Sequence, residues 1–469
     1  MSNPGLVLPL RQSSKNFLGI YPYQKRSGVT YDDLHPPLGI EYIAEAAKKF
    51  VDSVTVIDMR YEKESLESFM TSADIVGVSV LWPHQRDIAL RIIKRIPDGV
   101  TVILGGIQPT QHPDDYLNSC PRADIVVRGD GEETIREILT GRPLQDIQGI
   151  SFRQDGNIIH NPPRPVAPIG DFYPDRRLRS YRYDYHLFPG LNLGMDCILS
   201  SRGCSFGCEY CTFRLDSAGQ KRPWSARSAE SVVDEISSIP KDFIIFSDDD
   251  FGQNISRVEK ICDLIISRGI KKEFGCEMRV DVARRPDILR KLRRAGFWVL
   301  SFGIESCQDK TLRRINKNLT LRKIEESFRI LRKYDLFYVG YFIIGYVGES
   351  IREILEIPNF ARRLGLDFIA PSVLRAYPHS LLRERLEDDP NYRIGKDHVV
   401  LNRKMRRDDL SWLHRAVVRR FYTPGQIARI LRKFLFGGVP KLFFLKFMFA
   451  AFLCELPGRR LGLRMGSLR

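Results

Sequence analysis

The stretch Ser-Arg-Gly-Cys-Ser-Phe-Gly-Cys-Glu-Tyr-Cys, residues 201–211, says more about this chain than any other part of it. Its cysteines, Cys204, Cys208 and Cys211, are separated by three residues and then by two. Thiolates at this spacing can bind three irons of a cubane iron–sulfur cluster and leave the fourth iron without a protein ligand. The stretch therefore predicts a cluster with one iron open to a small molecule, which is a place for a reaction.

Other uses of cysteine fit this pattern less well. A structural zinc site usually has four ligands, and the next cysteine, Cys262, lies far beyond zinc-finger spacing. A disulfide framework is disfavoured because the chain has nine cysteines, an odd count, and its first residues lack the apolar core and cleavage site of a signal peptide. An electron-carrier cluster normally has four cysteines. We expect a reducing compartment, the cytoplasm.

Downstream of the cysteines, short apolar runs alternate with charged segments of helical period. The apolar runs are residues 243–251, 276–281, 300–306 and 341–349, and the helical segments are residues 228–239, 258–268, 285–295 and 321–333. Repeated strand–helix units predict a parallel sheet covered by helices, with its chemistry at the carboxyl ends of the strands. Asp248 to Asp250, Arg279 and Glu305 fall at those ends.

The cysteine spacing resembles the signature of the radical S-adenosylmethionine (SAM) superfamily, and the strand ends that follow are similar to those of its partial (β/α) barrel. The resemblance implies a [4Fe–4S] cluster held by Cys204, Cys208 and Cys211, which are then also the catalytic residues. Ser205 and Val347 stand where proline is frequent in the superfamily, and neither is a metal ligand.

The same resemblance implies a SAM site beside the open iron. Tyr210 would flank the adenine, Glu305 or Asp249 would bind the ribose, and Arg279 would pair with the SAM carboxylate. Gly345 belongs to the fifth-strand motif and is a further candidate contact. An electron from the cluster would cleave SAM to methionine and a 5′-deoxyadenosyl radical, which removes a hydrogen atom from an unactivated carbon.

An α/β module precedes the barrel at residues 1–143. Apolar runs at residues 17–21, 53–58, 75–80 and 100–104 alternate with helical segments at 38–50 and 85–95, which predicts a doubly wound, Rossmann-like sheet. The ligand crevice of such a sheet lies beyond the carboxyl ends of its strands. Five candidate ligand contacts fall there: Ser79, Gly105, Gly106, Gly129 and Glu132.

Three stretches of this module, residues 36–44, 104–110 and 126–134, resemble the cobalamin-binding domain that precedes many radical SAM barrels. Similar proteins include the magnesium-protoporphyrin ester cyclase group and the cobalamin-dependent radical SAM methyltransferases. The resemblance implies cobalamin as a third cofactor, held near the five candidate contacts.

A cobalt-ligating histidine is a separate question. Many cobalamin domains carry the pattern D-x-H-x-x-G, and the segment from Asp33 through His35 to Gly39 comes within one residue of it. We interpret this near-match as a coincidence of the prolyl helix start. Related domains without the pattern can bind cobalamin with no lower protein ligand.

The remaining segments are an interdomain linker at residues 144–195, the barrel at 196–375 and a helical, basic and apolar extension at 376–469. Helical segments at 410–421 and 424–436 precede an apolar run at 442–454, which is shorter than the roughly 20 residues that span a bilayer. An interfacial helix and a buried helix both fit this run. The formal net charge of +16 favours anionic surfaces, and without an RNA-binding module we expect no nucleic-acid partner.

The leading hypothesis is cobalamin-dependent C-methylation of a hydrophobic, lipid-like or secondary-metabolite substrate. Flavodoxin or ferredoxin is the expected electron donor, and the C-terminus is expected to touch the inner membrane face peripherally. Radical cyclisation or rearrangement without methylation is the alternative. A non-catalytic, membrane-associated iron–sulfur or cobalamin sensor is a hypothesis of another class.

Overall fold

The computed structural model describes residues 15–23, 35–62, 66–181, 184–188, 191–402 and 405–436. The chain divides into two compact units. The N-terminal unit consists of residues 1–167, 172–183 and 215–221, and the C-terminal unit of residues 168–171, 184–214 and 222–469. The residues predicted as a linker, 144–195, are thus shared between the units, and a short segment just after the cysteine stretch belongs to the N-terminal unit.

The N-terminal unit is built on one seven-stranded sheet. Its strands are β1 (Asn16–Tyr21), β2 (Ser53–Asp58), β3 (Ile75–Ser79), β4 (Thr101–Gly105), β5 (Ile125–Val127), β6 (Ile150–Gln154) and β7 (Asn157–His160). They lie in the order β2-β1-β3-β4-β5-β6-β7. The first five pair in parallel, and β6 and β7 continue the sheet in antiparallel pairing. The order 2-1-3-4-5 is the flavodoxin-like form of the doubly wound fold, whose switch point lies between β1 and β3.

Helices cover both faces of this sheet. They are α1 (Leu38–Ala47), α2 (Leu66–Ser72), α3 (Arg86–Ile93), α4 (Ile107–Gln111), α5 (Pro113–Ser119) and α6 (Glu132–Leu139). Alternate side chains of a strand point to opposite faces, and each face accordingly has its own apolar core. The predicted strands and helices of residues 17–104 are confirmed to within three residues at each end.

The C-terminal unit holds a second seven-stranded sheet. Its strands are β8 (Asp184–Phe188), β9 (Leu191–Ile198), β12 (Phe243–Phe246), β13 (Glu273–Met278), β14 (Phe297–Glu305), β15 (Phe337–Ile344) and β16 (Phe368–Val373), and a small ladder, β10 (Ser201–Arg202) with β11 (Ser225–Ala226), follows β9. The sheet order is β16-β15-β14-β13-β12-β9-β8, parallel throughout except for β8 at the edge. It is an open, partial (β/α) barrel, as the sequence predicts.

The helices of this unit alternate with its strands. They are α7 (Ala229–Ser238), α8 (Ile255–Ser267), α9 (Pro286–Ala295), α10 (Asp309–Ile315), α11 (Leu321–Leu331), α12 (Ile351–Leu355) and α13 (Ile357–Leu364). Side-chain caps fix several of the helix starts: Ser228, Asn254 and Thr320 each accept a hydrogen bond from the backbone N–H three residues on. One continuous apolar core lies between these helices and the sheet.

After the barrel come α14 (Leu381–Glu387), the hairpin β17 (Tyr392–Ile394) and β18 (Val400–Asn402), α15 (Arg407–Phe421) and α16 (Pro424–Phe436). The two predicted helical segments of this region are confirmed. Phe434 of α16 is buried against Phe337 of β15, with ring centroids 5.3 Å apart. The apolar run at 442–454 lies outside the described residues. Among the residues that are described, none of the helices has both the length and the apolar composition needed to cross a membrane.

Candidate active site

The cysteine stretch forms a loop after β10 that is hydrogen-bonded to other parts of the C-terminal unit. Glu209 donates its backbone N–H to Ile315 O at 2.9 Å, and its carbonyl accepts from Leu382 N at 2.9 Å. Gly203 has a φ of 87°, and a Cβ there would lie 3.1 Å from Pro223 O, so the turn into the loop requires glycine. Hydrogen bonds to α14 and to the end of α10 thus hold the loop in place.

The donor set of this loop fits the predicted cluster. Cys204, Cys208 and Cys211 are thiols, of which Cys208 is buried and the others are half-buried. Within the described ranges, no group of three or more His, Cys, Asp or Glu side chains is arranged to hold a single metal ion. Burial raises the pKa of Cys204, and that of Cys211 to about 12, so both thiols need a positive partner to ionise. Cluster irons would provide it, each thiolate binding a different iron.

Three acids in succession follow β12. Asp248 is buried and accepts from Ser200 N at 2.7 Å and from the Ser200 and Ser201 hydroxyls at 2.6 Å. Asp249 accepts from the backbone N–H of Gly203 at 2.8 Å, and burial raises its pKa to about 6. Asp248 therefore joins β12 to the end of β9, and Asp249, a candidate for the ribose, holds the start of the cysteine loop.

Glu305, the other ribose candidate, ends β14 in a left-handed backbone conformation with a φ of 70°. It is 5% exposed, and its Oε1 accepts from Lys317 Nζ at 2.9 Å. Tyr210 lies near enough to Glu305 for its pKa to respond to that carboxylate. Burial, followed by the nearby Glu305 carboxylate, raises the pKa of Tyr210 well above its usual value. The structure therefore brings together two of the residues predicted for SAM, Tyr210 and Glu305.

Arg279 follows β13 and lies against the cysteine loop. Its guanidinium carbon is 3.8 Å from the centroid of the Phe206 ring, which is a cation–π contact. Its Nε donates to Asp281 at 3.1 Å, and its Nη2 donates to the backbone carbonyl of Lys317 at 3.0 Å. Burial raises the pKa of Asp250 to about 6, and Arg279 is the largest opposing influence. The forked donor predicted for the SAM carboxylate is therefore next to the cysteines and already partly engaged.

Gly345 begins the turn after β15. Its φ is 79°, and a Cβ would lie 2.8 Å from Leu410 Cδ2. Glu349 closes this turn, accepting from Ser306 Oγ at 2.8 Å and from Tyr346 N at 3.1 Å. The Tyr346 hydroxyl in turn donates to Glu209 of the cysteine loop. The fifth-strand motif is thus connected to the loop, and Tyr346 and Val347 share an apolar cluster with Cys208 that excludes water from one side of it.

Two residues of the site, Lys317 and Glu277, were not predicted from the sequence. Lys317 is a buried lysine in the site, and its only local signal is its position between Asn316 and Asn318, residues that tolerate left-handed backbone. Glu277 is a carboxylate inside an apolar strand, and it accepts from the Tyr341 hydroxyl at 2.6 Å across the sheet. A charged residue in an otherwise apolar run was a usable signal for Glu277.

The candidate cobalamin contacts lie at the carboxyl ends of adjacent strands in the N-terminal unit. Ser79 ends β3, Gly105 ends β4, Gly106 follows it, and Gly129 and Glu132 follow β5. Gly129 N donates to Thr110 Oγ1 at 3.1 Å, which links the turn after β5 to α4, the helix that follows β4. A Cβ on Gly106 would lie 2.6 Å from Val80 O, whereas the space beside Gly105 is open. This glycine-lined edge fits a large ligand that approaches the backbone.

His35 stands at the entry to α1. Its backbone carbonyl accepts from Arg60 Nη2 at 2.6 Å, and Arg60 also forms a buried ion pair with Asp58. Asp33, the first residue of the near-match to the cobalt-ligating pattern, lies outside the described residues. The coincidental interpretation of that near-match stays a prediction.

Two family models match the chain along its length. The radical SAM superfamily matches residues 198–361, and the B12 binding domain matches residues 27–139. Together with the partial barrel and the three-cysteine loop, these matches show that the chain is a radical SAM enzyme. Its N-terminal unit carries a B12-binding domain, so the cofactors are a [4Fe–4S] cluster, SAM and cobalamin.

Several characterised and uncharacterised proteins are similar over most of the chain. An uncharacterized methyltransferase of Pyrococcus horikoshii is 28% identical over 85% of this chain and 86% of its own length. The anaerobic magnesium-protoporphyrin IX monomethyl ester cyclase of Rubrivivax gelatinosus is 26% identical over 79% and 70%. The hopanoid C-3 methylase of Methylococcus capsulatus is 26% identical over 64% and 59%.

A solved structure with the same fold is that of the radical SAM methyltransferase TsrM from Kitasatospora setae. It superposes with a TM-score of 0.65 at 16% identity, covering 82% of this chain and 79% of TsrM. This likeness shows the fold, and the three relatives named above are a methyltransferase, a cyclase and a methylase, so they give no support to the non-catalytic sensor hypothesis.

Proposed function

We propose that this enzyme transfers a methyl group from SAM to an unactivated carbon of a hydrophobic small molecule. One observation carries the proposal: the chain combines two sites. The first is the three-cysteine loop, which is held by hydrogen bonds in apolar surroundings, and the second is the glycine-lined edge of a B12-binding domain. Relatives named as methyltransferases or methylases add support.

The residues around the loop have distinct tasks in this proposal. Cys204, Cys208 and Cys211 hold the cluster, and the apolar residues around Cys208 keep water away. Tyr210 and Glu305 bind the nucleoside part of SAM, and Arg279 binds its carboxylate with a forked pair of hydrogen bonds. Ser79, Gly105, Gly106, Gly129 and Glu132 surround cobalamin. Asp249 acts by holding Gly203 at the start of the loop.

When bound, the cofactors supply reductive cleavage of one SAM molecule and a carrier for the methyl group of another, with electrons from an external reductant such as flavodoxin or ferredoxin. The substrate exchanges a C–H bond for a C–CH₃ bond. The protein fixes the relative positions of the reactants and excludes water, which prevents the radical from reacting with solvent or buffer.

The test uses anaerobically reconstituted enzyme with cobalamin, a reductant and SAM carrying a ¹³C-labelled methyl group, incubated with a hydrophobic extract of the source cells. Methyl transfer gives products heavier by one labelled CH₂ unit, together with 5′-deoxyadenosine. The Cys208→Ala variant is the matched control and should give neither. Production of 5′-deoxyadenosine without any labelled product would contradict methyl transfer.

Radical cyclisation is the second candidate, because an ester cyclase is among the similar proteins. The same incubation distinguishes it, since a cyclised or rearranged product gains no methyl label. An unlabelled product that forms only with the wild-type enzyme and SAM would replace the methyltransferase proposal by this one.

We also propose that the C-terminal helices bring the enzyme to a membrane surface, where hydrophobic substrates are found. Leu431, Leu435 and Phe436 of α16 are 44%, 57% and 83% exposed, and the apolar run at 442–454 follows them in sequence. Exposed apolar side chains next to arginine and lysine suit an anionic interface. Co-sedimentation with anionic phosphatidylglycerol vesicles tests this. The wild type should sediment with the vesicles, and a variant with serine at all three positions should do so less. Equal sedimentation of both proteins would contradict it.

A further inference from the structure

Lys317 lies in a segment whose backbone is unusually constrained. It lies two residues after the end of α10, between Asn316 and Asn318, which have φ angles of 60° and 57°. Its N–H donates to Leu312 O at 3.2 Å, and its carbonyl accepts from Arg279 Nη2 at 3.0 Å. Asparagine tolerates the left-handed region better than most residues, and at Asn316 this conformation ends α10. The chain therefore holds Lys317 in one place.

The ammonium group of Lys317 lies beside the end of β14, next to the Glu305 carboxylate. Its Nζ is 2.9 Å from Oε1 of Glu305, and the two side chains are 9% and 7% exposed. The pair lies directly over Gly303, where a Cβ would come within 2.4 Å of Glu305 Oε1 and 2.7 Å of Lys317 Nζ. Any other residue at position 303 would fill the space that the ion pair occupies.

The ammonium of Lys317 is kept charged by its partner. The Glu305 carboxylate offsets the effect of burial, so the pKa of Lys317 is raised. A buried charge is expensive unless it is paired, and this one has its closest partner in Glu305.

We propose that Lys317 is a positioning residue of the SAM site, which fixes the Glu305 carboxylate in the orientation that binds the ribose hydroxyls. The inference rests on the proposed function, in which Glu305 binds the nucleoside part of SAM. A carboxylate at the end of a strand has several accessible rotamers, and a hydrogen-bonded ammonium selects one of them. Lys317 acts through Glu305 and does not itself contact the ribose.

The test compares binding of SAM with binding of methionine to the anaerobically reconstituted enzyme. Methionine has the amino and carboxylate groups of SAM but lacks the ribose. The variant Lys317→Met keeps the length of the side chain and removes its charge, and Lys317→Arg keeps the charge. Lys433→Met is the matched control, because Lys433 forms another buried pair, 2.7 Å from Asp367 beside α16, away from the cysteine loop.

We expect Lys317→Met to weaken SAM binding roughly tenfold or more, the usual effect of losing a charge-assisted hydrogen bond, and to leave methionine binding unchanged. Lys317→Arg should recover most of the SAM affinity, and Lys433→Met should bind both ligands like the wild type. Equal weakening of SAM and methionine would overturn the inference, since Lys317 would then act at the amino acid end. Unchanged SAM binding would overturn it as well.

A second variant keeps the test decisive if Lys317→Met does not fold. Glu305→Gln retains the lysine and removes the carboxylate charge, and it should show the same selective loss of SAM affinity. A wild-type enzyme that binds methionine and SAM equally well would instead show that the proposed nucleoside contacts are wrong, which is distinguishable from a failure of Lys317 alone.

Discussion

Gly303 shows how one missing side chain makes room for a charged pair. The substitution Gly303→Ala places a methyl group where Glu305 Oε1 and Lys317 Nζ now lie, at 2.4 and 2.7 Å. Contacts this short force the pair to move, so we expect SAM to bind roughly tenfold more weakly. Equilibrium binding to the reconstituted enzyme measures this.

Gly275→Ala is the matched control on the neighbouring strand β13, because a Cβ there has its nearest neighbour at an ordinary 3.4 Å. It should bind SAM like the wild type. If both alanine variants bind SAM equally well, the position of the Glu305–Lys317 pair does not matter for SAM.

Glu349 predicts a pH dependence of stability. Burial raises its pKa from the ordinary 4.5 to about 7, so the native state keeps a proton that the unfolded chain has already released in this interval. Rising pH therefore favours unfolding there. Between about pH 5 and about pH 8 the free energy of unfolding should fall by about 3 kcal/mol more in the wild type than in Glu349→Gln.

Urea denaturation at the two pH values measures the difference. Glu387→Gln, which changes an exposed glutamate at the end of α14, is the control and should keep the wild-type slope. A Glu349→Gln variant with the same pH slope as the wild type would show that Glu349 is ionised in the native protein throughout.

Individual site residues were predictable where they belong to a sequence pattern and not where they depend on pairing across the fold. Cys204, Cys208 and Cys211 were singled out as candidate cluster ligands by their spacing. Glu305 and Asp249 were interchangeable candidates in sequence, and only the hydrogen bonds separate them, since Asp249 accepts from Gly203 N while Glu305 accepts from Lys317 Nζ. Lys317 had no chemical signal of its own, because its partner is brought to it by the end of another strand.

At the scale of elements, α16 is part of the barrel unit and not an appendage. Phe434 is 1% exposed and packs on Phe337, and Gln426 Nε2 donates to Leu366 O at 2.9 Å. We expect Phe434→Ala to lower the free energy of unfolding by about 3–5 kcal/mol, the usual cost of removing a buried phenylalanine. Chemical denaturation followed by circular dichroism measures the loss.

The neighbouring Leu435 provides the control, since it is 57% exposed. Leu435→Ala should change stability by less than about 1 kcal/mol. Comparable losses in the two variants would mean that α16 is not anchored through Phe434.

Element boundaries were predictable where caps and apolar runs coincide. Residues 53–58 were predicted as a strand and form β2. The start of α8 was predicted three residues too late from its apolar pattern, because the side chain of Asn254 caps the helix before that pattern begins. Residues 149–153 and 157–161 lie within the segment predicted as a linker, residues 144–195. They form β6 and β7, a hairpin joined by Asp155 and Gly156, both at positive φ, which is a local signal for a two-residue turn. Only the antiparallel pairing of β6 with β5, which adds the hairpin to the first sheet, joins segments separated in sequence.

At the scale of the whole molecule, the two metal-containing cofactors should be separable by mutation. Metal analysis of the wild type reconstituted anaerobically with cobalamin should give about four irons and one cobalt per chain. Cys208→Ala should lose iron and keep cobalt. Gly105→Leu should lose cobalt and keep iron, because the added side chain enters the open space beside the strand end without clashing with the protein.

Cys262→Ala is the control for the first variant, since Cys262 is a buried thiol on α8 outside the loop. It should keep both metals. If each of the two site variants loses iron and cobalt together, the sites are not independent and the assignment of residues to cofactors fails.

Residues 215–221 limit how the two units of the enzyme can be exchanged between related proteins. It follows Cys211 by only a few residues, yet Gln220 donates to Arg164 O within the N-terminal unit, at 2.9 Å. With the crossings at 168–171 and 172–183, the chain passes between its units several times. A chimera with a single crossover would therefore combine the N-terminal unit of one enzyme with residues 215–221 of another, although these residues belong to that unit. An exchange of the N-terminal unit must replace residues 215–221 as well, so we expect the two units to have been inherited together.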